Sequence, residues 1–432
     1  MTIAGFTLPA LSAYDPPASG EGSLDPCGLA AFSDRLADRL VPGLRARMLR
    51  VRFVTAMAVS AVTCETLLDE HAADNISTPA ICFEWLTVEA FTRRLSPAQM
   101  PPGVPGSGKA RSVINRKQRL SAATYLKGPS VFGFHGVYKP FAVDAGVVDT
   151  GLEPGSDCTN LLRAWEVEQG FVGFTDGVPG SEGASFRGQV RDGVRSALRE
   201  GRCVTSPGSW LFGRVASSLN PDQAGPKERS ALRKLVIGAD HEARAELARK
   251  LVAVDSDLTE AQALDQLRPT CSPSLGRIID AVVAYETFAA LVNASFRTLC
   301  SASHAMGAQP LMPQHVVAHE TILRCARELP DRYRRAAECM TDISADQGFE
   351  DRLGEFAIQR TPTGLAELLM EHHERIQGSK TPEGKRPWFE PVRNGWVIRP
   401  PYGAAQQPPL DGSFVHPVRV AALRRFLDET EQ

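Results

Sequence analysis

Nine Lys or Arg and no Asp or Glu lie between Ala90 and Val143: Arg93, Arg94, Lys109, Arg111, Arg116, Lys117, Arg119, Lys127 and Lys139. The 432-residue chain carries a formal charge of only −2, so the cations are segregated from the acids that balance them. Such segregation suits contact with a polyanion. Phe132, Phe134, His135 and Tyr138 interleave with the charges and could pack under a nucleic-acid backbone. On this reading Lys109, Arg111, Arg116, Lys117, Arg119 and Lys127 contact phosphates, which position a nucleic acid without reading its sequence. The competing reading is a solvated helix face whose acids lie elsewhere.

A second cluster runs from His372 to Glu390. Lys380, Lys385 and Arg386 read as further phosphate contacts on a 375–393 loop. As chemistry, His373 could serve as a general base, with Lys385 as the cation and Glu390 as a carboxylate, for metal-dependent phosphodiester cleavage. The His-x-Lys spacing of phospholipase-type nucleases is missing, and so is a complete metal-nuclease pattern. Trp388 and Phe389 would equally anchor a C-terminal loop onto its domain.

Other motifs are incomplete. Gly103 to Lys109 satisfies G-x-x-x-x-G-K, but Ala110 stands where Ser or Thr would hold Mg²⁺. The proline-rich residues before it cannot form the buried strand that launches a phosphate loop, so a glycine loop presenting Lys109 and Arg111 is expected. His315 and His319 are spaced i, i+4, which would put both on one helix face, without the Glu placement of H-E-x-x-H. Asp280 sits in an apolar helical block. Nine scattered cysteines include no Cys-x-x-Cys pair and read as small core residues in a reducing, cytoplasmic setting. No metal site and no cofactor is expected.

These residues need elements to hold them. With 43% hydrophobic and 23% charged residues, the chain reads as a mainly α-helical globular protein of two domains. The apolar runs are too short to cross a bilayer, and no signal peptide is expected at the N-terminus. Residues 1–23 read as an extended lead-in. Asp25-Pro26 caps a helix to about Leu40, and a longer helix follows from Leu44 to Glu70. Residues 81–95 give another helix, and Val113–Leu126 an amphipathic one whose polar face is Arg116, Lys117 and Arg119. The aromatic, glycine-punctuated stretch from Ser130 to Ala142 reads as short strands or a tight turn. A winged-helix-like unit, helix-turn-helix plus ribbon, is therefore expected within a basic domain at 24–175. Residues 186–377 read as a helical domain with Ile278–Cys300 as its spine. Residues 378–432 read as an aromatic, basic loop with a final helix.

Asp25-Pro26 with Val41–Arg47, Tyr125–Tyr138, and Gly384–Glu390 together resemble poorly characterised bacterial proteins encoded in multi-gene phage-defence clusters. The resemblance covers under a tenth of the chain and carries no catalytic residue. It implies an accessory subunit that works on or near DNA beside other subunits of a defence complex. The combined reading is a DNA-binding, non-catalytic component of such an assembly, leaning away from an enzyme. A metal-dependent nuclease using the 372–390 cluster and a protein-interaction scaffold are the alternatives.

Overall fold

The computed structural model describes residues 25–431 except 71, 239, 381–385, 394 and 404–409. The lead-in at 1–23 and Lys385 lie outside the described residues. The chain is mainly helical, as expected, and divides into two compact units. Their boundaries fall at 40/41, 256/257 and 418/419, not in the 175–186 loop where the sequence suggested a break. Residues 25–40 join 257–418 in one unit, and 41–256 join 419–431 in the other.

Helix α1 (Ala30–Leu40) opens the first unit. Asp25 caps it, accepting from the backbone N–H groups of Leu29 and Ala30 at 2.8 and 3.1 Å. The unit resumes with α2 (Glu260–Leu267) and α3 (Pro273–Met306), the expected spine, extended to 34 residues. Against α3 pack α1, α4 (Glu320–Asp342) and, beyond the short α5 (Phe349–Leu353), α6 (Pro362–Gly378). Phe32, Tyr285, Phe288, Tyr333 and Phe349 fill the space between them in ring contacts of 5.0–6.4 Å. A two-stranded antiparallel ribbon, β1 (Phe389–Val392) and β2 (Gly395–Ile398), closes the unit. His315 and His319 do not share a helix face: His319 caps the start of α4, where its Nδ1 accepts from the Thr321 N–H.

The second unit is built around α7 (Phe53–Cys64), all twelve of whose residues are buried. A helix apolar on every side must lie inside, and α8 (Pro79–Arg94) is buried along most of its length. Around them stand α9 (Ser107–Asn115), α10 (Pro129–Phe132), α11 (Phe134–Asp144), α12 (Cys158–Glu168) and α13 (Glu182–Glu200). Helices α14 (Trp210–Ser218), α15 (Pro226–Ile237), α16 (Glu242–Leu251) and α17 (Val420–Glu429) complete the unit. Buried Arg52 forks onto buried Glu228 at 2.9 and 2.7 Å and so pins α15 to the turn before α7.

The basic region is where sequence and structure part. Residues 130–142 are the helices α10 and α11, not strands, so the winged-helix-like unit has no ribbon there. Phe134, Tyr138 and Phe141 recur at i, i+4, i+7 and are buried, with Phe134 and Tyr138 edge-on to Phe53. The helix expected at 113–126 instead runs from Ser107 to Asn115. Lys117 takes a left-handed φ of 58° and donates to the Ile114 carbonyl, while Gln118 donates to Val113. Those paired bonds are a helix stop in which glycine is the usual occupant. Beyond it, Ser121 and Thr124 bond to each other and to nearby backbone, competing with further helix.

Candidate nucleic-acid interface

The loop feeding α9 turns through left-handed Gly103 and Gly106. At Gly106 a Cβ would stand 2.2 Å from the Tyr125 hydroxyl, so no side chain fits. Tyr125 donates to Glu84 at 2.8 Å and lies 3.2 Å from the Pro105 carbonyl. It thereby ties the glycine loop to the turn that carries Lys127. Phe132, 53% exposed, closes over Gly128, and the Arg47 guanidinium sits 5.1 Å above its ring. Arg47 and Phe132 thus cover the turn at Gly128 that follows Lys127, and Tyr125 ties the chain before Lys127 to the glycine loop that leads into α9.

Lys109, Arg116, Lys117 and Lys127 are exposed and Arg111 half-exposed. None of these five has an ion-pair partner among the described residues. Lys109 and Arg116, seven residues apart, share one flank of α9. Arg111 projects from the opposite flank, with buried Ala110 and Val113 between. Lys109 and Arg111 thus stand on α9 itself, not on the glycine loop expected to present them. The turns at 97–106 that precede α9 supply no strand for a phosphate loop.

Four of the nine cations are committed to the fold. Arg119 is corrected from phosphate contact to structural residue: it pairs at 3.1 Å with fully buried Glu89, which also takes Arg93 at 2.8 Å. Glu89 accepts the Leu120 N–H as well. One buried carboxylate thereby shapes the chain between α9 and α10. Arg94 donates to the Ser209 carbonyl, and Lys139 to that of Thr150. Lys380 and Arg386 of the C-terminal cluster also have partners within the fold. Lys380 donates to the Asp25 carbonyl and Arg386 pairs with Glu390. Both belong to the other unit.

The nuclease reading loses its base. His373 is 1% exposed, its Nδ1 donates to the Pro26 carbonyl at 2.9 Å, and its Nε2 accepts from the Trp388 N–H at 2.8 Å. Both ring nitrogens are occupied by backbone, so neither can take a proton from a nucleophile. His372 is held in the same way by the Cys27 carbonyl and Arg375. Glu390 faces Arg386 and Arg399. The cluster fastens the ribbon end of its unit to the chain before α1. Asp280, also singled out, is forked by Arg268 at 2.7 Å on both oxygens, which lowers its carboxyl below the usual range.

That arrangement has a pH signature. Burial pulls the His373 imidazole down to about 4 and lowers His372 as well. An unfolded imidazole titrates near about 6.5, so between these values the unfolded chain binds protons that the folded chain refuses. The stabilisation is present above about pH 6.5 and lost as pH falls toward 4, for His373 by at most about 3 kcal/mol. His416 acts oppositely: burial lowers it, but its hydrogen bond and charge contact with Glu286 prevail and raise it. The urea midpoint followed by fluorescence of Trp388 should fall between pH 7 and 5, and His373→Gln should flatten the profile. An equally steep profile in the variant would refute the assignment.

One constellation was invisible in the sequence. Ser60 Oγ lies 3.3 Å from His135 Nε2, and His135 Nδ1 lies 3.2 Å from Glu84, in nucleophile–base–carboxylate order. The three are 3%, 6% and 1% exposed, and Ser60 lies mid-helix, where backbone N–H groups are spent within α7 and none is left as an oxyanion donor. The chain is a satisfied core network under the basic surface, with Glu84 also holding Tyr125. Among the described residues, no group of three His, Cys, Asp or Glu gathers as metal ligands would, and no helix is long and apolar enough to cross a membrane.

The chain matches no protein-family profile, no curated protein and no solved structure.

Proposed function

We propose that this protein binds nucleic acid through its phosphate backbone, as a non-catalytic component of a bacterial anti-phage defence assembly. The observation that supports the reading is the set of five unpaired cations, Lys109, Arg111, Arg116, Lys117 and Lys127, on segments tied together by Tyr125. The reading keeps phosphate contact and drops both the winged-helix geometry and the 375–393 loop as a second contact. The defence setting rests on the sequence resemblance alone. Side chains that meet phosphates release counterions, so five contacts imply a log–log salt slope of about −4.5 on duplex DNA. Fluorescence anisotropy with two unrelated duplexes should give that slope and nearly equal affinities. Absence of binding to duplex or single-stranded DNA at low salt would reject the reading in favour of an acidic protein partner. Plasmid incubated with Mg²⁺ or Mn²⁺ should stay intact.

A further inference from the structure

A cleft of about 640 Å³ opens between α12 and α15, within the size range of small-molecule sites. On α15, Lys227, Ser230 and Lys234 follow at i, i+3, i+7, so they share one face. The helical rise sets the two lysines about 10 Å apart along it. Neither lysine is ion-paired among the described residues. The facing wall carries Asp157 and Asn160 from the start of α12, and Leu161 and Leu235 supply an apolar floor.

The walls are fixed before any ligand arrives. Glu168 accepts the backbone N–H groups of Lys227 and Glu228 at 2.6 and 3.1 Å, which joins the end of α12 to the start of α15. The terminus of α15 is thus already capped by a carboxylate, and only the lysine side chains are left for an anion. Glu228, one residue after Lys227, is clamped by Arg52, which holds the lysine row in place.

The two walls ask for different chemistry. The lysines favour an anionic group. The Asp157 carboxylate repels a purely anionic ligand and accepts from hydroxyl donors. We propose that this cleft binds a small phosphorylated sugar, with its phosphate on the α15 lysines and its hydroxyls on Asp157 and Asn160. This is separate from the 109–127 surface, where an acid-free stretch asks only for charge.

Isothermal titration of the full chain with ribose 5-phosphate, ribose and inorganic phosphate tests the proposal. Ribose 5-phosphate should bind more tightly than either fragment. Lys227→Glu with Lys234→Glu should weaken it by tenfold or more, leaving duplex affinity unchanged. Asp157→Ala should erase the preference for ribose 5-phosphate over inorganic phosphate, and a retained thermal midpoint shows that the variants fold. The proposal is overturned by no measurable heat with ribose 5-phosphate, by equal binding of inorganic phosphate to the unaltered chain, or by unchanged affinity in the lysine variant.

Discussion

Glutamate at Lys109, Arg116 and Lys127 together is expected to lower duplex affinity by roughly a hundredfold or more and to flatten the salt slope by about three. The three side chains are exposed and unpaired, so reversing them breaks no ion pair and the thermal midpoint should barely move. The same three reversals at Arg93, Arg94 and Arg119 should behave differently. There the guanidiniums hold buried Glu89 and the Ser209 carbonyl, and the loss should appear as unfolding. Lys117→Gly separates contact from stability within one residue. Glycine accepts the left-handed φ of 58° without the strain a lysine carries, so the fold should gain about 1 kcal/mol. Binding should nonetheless weaken and the slope drop by about one. A variant that is more stable and binds equally well would remove Lys117 from the interface.

Glu228→Ala should be the most damaging single change, costing about 3–5 kcal/mol in the urea-unfolding transition of the second unit. Glu228 is fully buried, accepts both arms of the Arg52 fork, and takes the Thr55 hydroxyl at 2.7 Å. Removing it strands a guanidinium that is itself 1% exposed. The cost is therefore that of an unpaired buried charge, not the net worth of the pair. Replacing both partners, Arg52→Met with Glu228→Met, should recover much of the loss, because the desolvation of both ions then disappears. Additive single-mutant costs in the double variant would refute this account.

Helices with strong apolar periodicity and clear stops were legible from the sequence. The spine around Ile278–Cys300, the 81–95 helix and the C-terminal helix lie where their patterns put them, because apolar content and helix-ending residues within each segment decide those elements locally. The basic segment was not, because its conformation is set from a distance. Glu89 lies 30 residues before Arg119, and no local pattern shows that this acid takes Arg93, Arg119 and the Leu120 N–H together. Charge counting saw nine cations without internal acids; the fold supplies the acid from α8. The helical spacing of Phe134, Tyr138 and Phe141 was present in the sequence, but glycine punctuation outweighed it. Ser60, Glu84 and His135 were unreadable as a set, since only tertiary packing brings them into hydrogen-bond range. At the C-terminal cluster, residue types suited to catalysis serve backbone carbonyls and N–H groups, a use that composition cannot distinguish.

The order in which the units borrow from the chain constrains how the protein is made. The first helix leaves the ribosome some 220 residues ahead of the segment it packs against, since its unit resumes only at 257. The other unit waits for residues 419–431. Neither half can close before residues of the other have been made, so vectorial, domain-by-domain folding is denied to these two units. A nascent chain halted at residue 256 should remain open to protease, and early helices should need shelter until their partner segments emerge.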